Sequence, residues 1–276
     1  MSGIIEVENL SFSYTSESIT LKDMSFEVAQ GAFIAIAGPN GAGKSTLLNL
    51  MCRALTPKSG TIRIDTKSIG SYDTQALATK VAVVRQEFVP IFGYSVMETV
   101  LMARTPYYSS TGFERQTDRE IVDNALIATD TAQFASRPLT SLSSGERQRV
   151  FIARALAQNS LIMLLDEPTN FLDLKHQVGI YDLLKTAQIE KGKTIIAVTH
   201  DINLATQYCD EILLLGTDNS YHFGKTEKVL LTEKIKEIFD VDVFAGKVGR
   251  ESFFIPIGKY AKNGKQINNE PGDTEL

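Results

Sequence analysis

The chain has 276 residues, of which 43% are hydrophobic and 22% charged, and these ordinary globular values allow one large α/β domain with or without a smaller insertion. The net charge of -5, with no run of Lys or Arg, argues against a nucleic-acid-binding protein that neutralises phosphates. The two cysteines lack metal-binding spacing, and no apolar stretch approaches the roughly 18 residues of a membrane span, so we expect reduced thiols and no transmembrane helix.

Three segments near the N-terminus predict a small antiparallel sheet at the edge of the core. Ile4–Leu10 and Met24–Val28 have the composition of partly exposed strands, and Thr61–Ile64 alternates between polar and apolar residues. This alternation is typical of antiparallel strands with one face buried and the other in solvent.

A second group of predicted strands is almost wholly apolar, which is typical of strands covered on both faces in a parallel sheet. Helix-like segments separate these runs, and the alternation of strands with helices favours a parallel α/β sheet. The runs are Phe33–Ala37, Val81–Val84, Leu161–Leu165, Thr194–Val198 and Ile212–Leu215.

The segment after the first of these apolar runs fits the phosphate-binding pattern G-x-x-x-x-G-K-[ST]. Its glycines let backbone N–H groups converge on phosphates, Lys44 can reach the β- and γ-phosphates, and the Ser45 hydroxyl can ligate Mg²⁺. A helix-like stretch follows, so the phosphates would lie at a helix N-terminus. The alternative is a Gly-rich turn that fits by chance, and the flanking strand and helix argue against it. The candidate nucleotide-binding residues are Gly38, Pro39, Asn40, Gly41, Ala42, Gly43, Lys44, Ser45 and Thr46.

Residues 89–139 differ from the rest of the chain in their pattern of apolar and polar residues, and they predict a helical insertion. Ser95–Glu98 has the pattern of a helix start, a polar loop is expected over Thr105–Thr117, and Arg119–Ala128 is a second helical stretch. No strong strand pattern occurs here. We therefore predict an α-helical subdomain inserted into the α/β domain.

The segment Leu142–Gln148 precedes a strongly apolar helical stretch, Val150–Ala157. Ser143, with Glu146 three residues later, fits a helix capping box, which is a purely structural interpretation. The start of a helix is also a site for anions, because its N–H groups lack partners within the helix. The two interpretations are compatible, and the sequence physics alone does not separate them.

The apolar run Leu161–Leu165 ends in two acids, Asp166 and Glu167. A buried strand carries such carboxylates to the C-terminal edge of the sheet, where α/β proteins bind ligands. Beside a phosphate loop, we expect Asp166 to hold Mg²⁺ and Glu167 to act as the general base on the attacking water. The alternative is a pair of acids that merely ends a strand.

The C-terminal part predicts a short helix over Thr232–Phe239 and a hairpin-like appendage over Val241–Pro256. Beyond it, the polar residues 261–276 are expected to be a disordered tail. We therefore predict one nucleotide-binding domain over 1–260, with the helical insertion at 89–139.

Leu142–Gln148 resembles the LSGGQ signature of the ABC ATPases, and it precedes the acidic strand end, as the signature does in that family. Other marks of the family follow in the expected order. Tyr14 is similar to the residue that stacks on adenine, Asn170–Asp173 resembles the D-loop, and His200 resembles the switch histidine that contacts the γ-phosphate. The glutamine at 86 resembles the Q-loop residue that senses Mg²⁺ and the membrane partner. The resemblance implies three sets of site residues. The candidate catalytic residues are Glu167, His200 and Gln86, and the metal ligands are Ser45, Gln86 and Asp166. The further nucleotide contacts are Tyr14, Ser143, Ser144, Gly145, Glu146 and Asp173.

The sequence departs from the family pattern in two places. The signature has Ser144 where glycine is usual and Glu146 where glutamine is commoner, so the contact with the γ-phosphate could differ. The main phosphate contacts of the family, Ser143 and Gly145, are retained. The D-loop has Asn170 and Phe171 where small residues are frequent.

The resemblance implies an α/β fold: a P-loop NTPase core with a parallel sheet, an N-terminal antiparallel β subdomain and an inserted α-helical subdomain. It also implies ATP and Mg²⁺ as cofactors, and an ATPase in which two copies pair head to tail so that each signature completes the other copy's site. The further partners implied are integral membrane permease subunits and, indirectly, a solute-binding protein. The chain would then lie on the cytoplasmic side of the cell's inner membrane, held there by the permease.

Finer resemblances concern the transported solute. Four segments are similar to importers of iron siderophores, haem and cobalamin: Gly93–Val100, Met102–Tyr107, Ser144–Val150 and His200–Ala205. Two alternatives stay open: an ABC ATPase for a metal ion or another small solute, and a soluble ABC ATPase with no role in transport. The three histidines are scattered and form no metal-binding pattern, so nothing in the chain itself selects an iron chelate.

Overall fold

The computed structural model describes residues 3–15, 18–85, 93–108, 114–249 and 251–258. The predicted site residue Gln86, parts of the predicted helical insertion and the predicted tail 261–276 lie outside these ranges. Within them, no helix is both long and apolar enough to cross a bilayer.

The secondary structure alternates between strands and helices over most of the chain. The strands are β1 (Ile5–Phe12), β2 (Leu21–Val28), β3 (Phe33–Ala37), β4 (Ser59–Ile64), β5 (Lys67–Ser68), β6 (Val81–Val84), β7 (Ile162–Asp166), β8 (Thr194–Val198), β9 (Glu211–Leu215), β10 (Tyr221–Lys225), β11 (Val243–Val248) and β12 (Glu251–Pro256). The helices are α1 (Lys44–Met51), α2 (Thr74–Lys80), α3 (Val96–Leu101), α4 (Gln116–Ala128), α5 (Ser144–Gln158), α6 (Leu174–Lys191), α7 (Ile202–Tyr208), α8 (Thr226–Val229) and α9 (Thr232–Phe239).

The main sheet has the strand order β10-β9-β3-β8-β7-β6. Strands β3 and β6 to β9 pair in parallel, as predicted, and β10 adds an antiparallel strand at the edge beside β9. Strand β3 is buried along its whole length. Its residues alternate between two apolar cores, since Phe33 packs on the side of helices α5 and α6 and Ile34 on the side of the N-terminal strands and α1. The sheet is therefore covered on both faces, which is why its strands are continuous apolar runs.

The predicted N-terminal sheet is present as the antiparallel order β2-β1-β4-β5. Its inward residues, such as Val7, Leu10 and Ile62, join the core that also contains α1. This sheet packs beside the phosphate loop, since Leu21 of β2 and Ala42 of the loop lie in the same core, and Tyr14 follows β1 in the chain.

The region predicted as a helical insertion contains α3 and α4, both packed against α5. The predicted polar loop Thr105–Thr117 is wrong at both ends. A 3-10 turn covers Met102–Tyr107, and α4 already begins at Gln116 because the Asp118 carboxylate accepts a hydrogen bond from the Arg115 N–H at 3.0 Å. Inside this region Arg104 Nε donates to Asp118 Oδ1 at 2.9 Å, and both side chains are buried.

The predicted C-terminal hairpin is formed by β11 and β12, which pair antiparallel from Val243↔Pro256 to Val248↔Glu251. It follows the predicted helix α9, and Phe254 of β12 is buried in the main core. The hairpin is therefore joined to the body of the molecule.

Candidate functional site

The phosphate-binding pattern lies between the buried strand β3 and helix α1, which begins at Lys44. Gly38 has φ +156°, and a Cβ there would lie 2.2 Å from the carbonyl oxygen of Leu215, so only glycine fits. Gly43, at the start of α1, has φ +93°, a left-handed conformation. The loop can therefore turn tightly and direct the first N–H groups of α1 toward an anion.

The Lys44 ammonium group lies within the curve of this loop, where Nζ donates to the carbonyl oxygens of Gly38 at 2.8 Å and Pro39 at 2.9 Å. Burial lowers the pKa of Lys44, and the nearby carboxylates of Glu167 and Asp166 act in the opposite direction. A cation is thus held between the loop and the acidic end of β7.

Ser45 and Asp166 meet across the edge of the sheet, where Ser45 Oγ donates to Asp166 Oδ1 at 3.1 Å. Burial raises the pKa of the Asp166 carboxyl, and the hydrogen bond from Ser45 opposes this. A hydroxyl beside a carboxylate offers the hard oxygen ligands that Mg²⁺ takes together with phosphate oxygens and water, so these residues fit the ion. Among the described residues, no three His, Cys, Asp or Glu side chains are grouped so that they could hold a metal by themselves.

Glu167 lies in the left-handed region, with φ +50°, directly after β7. Its side chain is only 11% exposed and is held from both sides. His200 Nε2 lies 2.7 Å from Glu167 Oε1, and Asn170 Nδ2 donates to Glu167 Oε2. A non-glycine residue in this conformation costs about 1 to 3 kcal/mol, and such costs cluster at functional sites.

The predicted capping box at the start of α5 is confirmed. Ser143 Oγ accepts from the Glu146 N–H at 3.3 Å, and the Ser143 N–H donates to Glu146 Oε2 at 2.8 Å. The hydrogen bonds from the Ser143 backbone and side chain hold the pKa of Glu146 below its usual value. A Cβ on Gly145 would lie 3.1 Å from the carbonyl oxygen of Phe171, so this helix start packs closely against the segment that follows Asn170.

The remaining predicted site residues lie on two other elements. Tyr14 is 62% exposed, and its hydroxyl lies 3.1 Å from Thr46 Oγ1. Its ring contacts Phe12 edge to face. Asp173 caps α6 by accepting from the His176 N–H at 2.9 Å, so it has a structural role there.

The structure thus brings Lys44, Ser45, Asp166, Glu167 and His200 together at the carboxyl ends of β3, β7 and β8. The predicted residue Gln86 lies outside the described ranges, as stated above.

Sequence reasoning missed the contact between Asn170 and Glu167. The three-residue spacing between them was the available indication, because a turn after β7 places such residues side by side.

A cavity of about 400 Å³ adjoins the pair formed by Glu167 and His200. Asn170 also lines it, and two hairpin residues, Phe254 and Pro256, form part of its wall. The C-terminal hairpin therefore reaches the neighbourhood of the carboxylate.

Comparisons with known proteins agree with this geometry. A family model described as ABC transporter matches residues 21–170. The chain is 40% identical over 255 residues to the petrobactin import ATP-binding protein FpuC of Bacillus anthracis, with 92% of this chain and 93% of that protein covered.

Among solved structures, a metal-chelate type ABC transporter in an inward-facing conformation superposes with a TM-score of 0.81 at 31% identity, covering 94% of this chain and 99% of that one. A dimeric ATP-binding cassette in a post-hydrolysis state with ADP and Pi superposes with a TM-score of 0.72 at 32% identity, covering 80% of this chain and 98% of that one. The fold class predicted from the sequence is confirmed by these neighbours.

Proposed function

The chain belongs to the ABC transporter family of ATPases, and from that membership we propose that it is the ATP-hydrolysing subunit of an importer in which two copies close around ATP. One observation carries the proposal: the phosphate loop, the pair formed by Ser45 and Asp166, and the pair formed by Glu167 and His200 meet at one edge of the sheet. Phosphoryl transfer needs such positioned charge more than it needs covalent chemistry.

The proposed hydrolysis step divides the work among these residues. The N–H groups of the loop and the Lys44 ammonium bind the phosphates of ATP. Glu167 accepts a proton from the attacking water while His200 and Asn170 keep its carboxylate in place. Ser45 and Asp166, with Gln86 as the third proposed ligand, would hold Mg²⁺, which when bound neutralises charge on the phosphates.

Pairing of two copies is the second part of the proposal. The N-terminal turn of α5 offers the Ser143 hydroxyl and the N–H groups near Gly145 to an anion. The dimeric solved cassette supports the pairing of two copies. The copies would lie head to tail, so that this turn of one copy completes the phosphate site of the other. Tyr14 would then stack on the adenine base, since its ring is exposed beside the loop.

A membrane permease is the proposed partner that gives this ATPase a role in transport. The region around α3 exposes apolar side chains, with Tyr94 44% and Met102 40% exposed. We propose this region as the contact with the permease. The chain would then lie on the cytoplasmic side of the inner membrane, bound through the permease, with a solute-binding protein acting indirectly.

The proposed solute is a metal chelate of the siderophore, haem or cobalamin class. The petrobactin import protein and the metal-chelate type transporter support this class, because both align along nearly the whole chain. The selecting surface would belong to the partner subunits.

Reconstitution tests the proposal. The full chain is combined in proteoliposomes with the permease that copurifies with it, and ATP hydrolysis is measured with candidate solute-binding proteins, each loaded or empty. We expect an iron chelate, haem or cobalamin to stimulate hydrolysis. Stimulation only by a free metal ion or an unrelated solute would reject the solute class, and a chain that hydrolyses ATP but retains no membrane subunit would reject transport.

A further inference from the structure

The C-terminal hairpin is attached to the helix that follows His200. Asn203 Nδ2 donates to the carbonyl oxygen of Phe254 at 3.1 Å, and the Phe254 N–H donates to Asn203 Oδ1 at 2.8 Å. The side-chain amide of Asn203 therefore pairs with one residue of β12 through both its donor and its acceptor, as a neighbouring strand would. Such a two-bond contact fixes orientation as well as distance.

Asn203 lies in the first turn of α7, close in sequence to His200. The Asp201 side chain caps this helix by accepting from the Asn203 N–H at 2.9 Å and the Leu204 N–H at 3.0 Å. The Asp201 N–H in turn donates to Thr199 Oγ1 at 3.0 Å. The turn that carries His200 is thus tied by hydrogen bonds to the residue that holds the hairpin.

Two cavities adjoin this attachment. Phe254 is only 3% exposed, yet it lines both the cavity of about 400 Å³ beside Glu167 and His200 and a second cavity of about 380 Å³. The pair of hydrogen bonds from Asn203 is directional, so it contributes to the position of the hairpin against α7 beside the buried Phe254 side chain.

We propose that Asn203 is a positioning residue for ATP hydrolysis: by clamping the C-terminal hairpin to α7 it holds the His200 imidazole against Glu167. The inference rests on the proposed function, because it presupposes that Glu167 activates the water. The side-chain hydrogen bonds of Asn203 that hold the hairpin go to Phe254, so its loss should affect the hydrolytic step and leave ATP binding nearly unchanged.

Steady-state kinetics of the full chain with Mg²⁺ and ATP provide the first measurement. In Asn203→Ala both hydrogen bonds to Phe254 are lost, and we expect kcat about tenfold lower with KM for ATP within about twofold, since small misplacements of a catalytic group have effects of this size or larger. Asn203→Asp keeps the acceptor for the Phe254 N–H but places a carboxylate oxygen against the Phe254 carbonyl oxygen, so its kcat should be no higher than that of Asn203→Ala. Asp242→Asn is the matched control, because it removes a hairpin ion pair with Lys236 that does not involve α7.

Histidine NMR of the same variants separates positioning from a general loss of stability. The chain has three histidines, so selective labelling gives few signals, and His200→Ala assigns one of them. We expect the ring signals of His200 to move in Asn203→Ala, while those of His176 and His222, which pair with Asp173 and Glu237, stay in place. Spectra are taken below the unfolding temperature of each variant, so a less stable variant still gives an answer.

Two results would overturn the inference. In the first, the Asn203 variants have the same kcat as the control Asp242→Asn. In the second, Asn203→Ala has a lower kcat but its His200 ring signals do not move. A wild-type chain that hydrolyses no ATP would instead reject the proposed function, so the two failures are distinguishable.

Discussion

At the scale of single residues, the site contains charged side chains that are costly to bury and that neighbouring groups stabilise. Glu167 is nearly buried, has an unfavourable backbone conformation and contacts both His200 and Asn170. Lys44 is buried near the same acids, and burial lowers its pKa. Buried charges fixed in this way hold the reacting groups in place before the substrate binds.

Replacing the proposed base gives the first prediction. In Glu167→Gln the side chain keeps its shape but cannot accept a proton, so turnover should fall by about 10² to 10⁴-fold, the usual range for a general base. ATP affinity should stay close to that of the wild type. Single-turnover hydrolysis and equilibrium binding of a labelled ATP measure the two quantities, and hydrolysis at the wild-type rate would remove Glu167 from the role.

The second prediction concerns Asn170, which sequence reasoning did not connect with Glu167. In Asn170→Ala the carboxylate loses the donor to Oε2 and gains freedom to rotate, so kcat should fall about tenfold with little change in KM for ATP. Asn170→Asp should be worse, because a second negative charge beside Glu167 repels it. An Asn170→Ala variant with the kcat of the wild type would show that the hydrogen bond has no part in hydrolysis.

At the scale of elements, the buried ion pair of Arg104 and Asp118 links three segments of the helical region. Arg104 Nε donates to Asp118, which lies in the first turn of α4, and Arg104 Nη1 donates to the Ala157 carbonyl oxygen near the end of α5 at 2.8 Å. The guanidinium group also lies over the Tyr107 ring, 4.1 Å from its centre. The helix that carries Ser143 at its start is thus fixed near its other end by the region proposed to contact the permease.

Removing one partner of this pair gives the third prediction. Burial alone would raise the pKa of Asp118, but hydrogen bonds from the Arg115 N–H and from Arg104 outweigh it and lower the pKa. Because the folded-state pKa lies below the unfolded value, the stabilisation is present at neutral pH and is lost as pH falls through the folded-state pKa. Asp118→Ala should therefore cost about 3 to 5 kcal/mol at pH 7 by leaving a buried guanidinium unpaired.

Urea unfolding of the wild type and of Asp118→Ala at several pH values measures the stability that the ion pair contributes. The difference in the free energy of unfolding should shrink below about pH 4, the usual range of the carboxyl group. Asp123→Ala, at an exposed position of the same helix, is the control and should change stability by less than about 0.5 kcal/mol. A difference that does not depend on pH would mean that packing, not charge, holds the two elements together.

The strands also show which parts of the fold the sequence could predict. Strands such as Phe33–Ala37 and Thr194–Val198 were predicted to the residue, because a strand buried on both faces is an uninterrupted apolar run. Strand β10 (Tyr221–Lys225) was missed, because its sequence YHFGK mixes polar residues and glycine and it pairs with one neighbour at the edge of the sheet.

The candidate site also has parts that the sequence could predict and parts that it could not. The phosphate loop and the acids at the end of β7 were predictable, because each lies at a fixed spacing directly beside an apolar strand. The bonds between Asn203 and Phe254 were not, because the two residues are 51 positions apart and no local spacing rule joins them. Such contacts depend on how the hairpin folds back onto α7, which is decided by tertiary packing.

At the scale of the whole molecule, one chain holds two separate parts of the proposed nucleotide site. The phosphate loop precedes α1, and the Ser143 turn begins α5. In the proposed pairing, ATP joins the loop of one copy to the turn of the other, so ATP binding and dimer formation become one event. Hydrolysis at Glu167 then removes the bridging γ-phosphate and lets the copies separate.

The mass of the Glu167→Gln chain with and without ATP tests this account most directly. We expect the variant to bind ATP and to hydrolyse it only slowly, so light scattering after size-exclusion chromatography should give about 30.4 kDa without nucleotide and about twice that value with Mg²⁺ and ATP. Adding Lys44→Ala, which weakens phosphate binding, or Ser143→Arg, which blocks the facing turn, should return the mass to that of one chain. A Glu167→Gln chain that is saturated with ATP and still has the mass of one copy would contradict ATP-driven pairing.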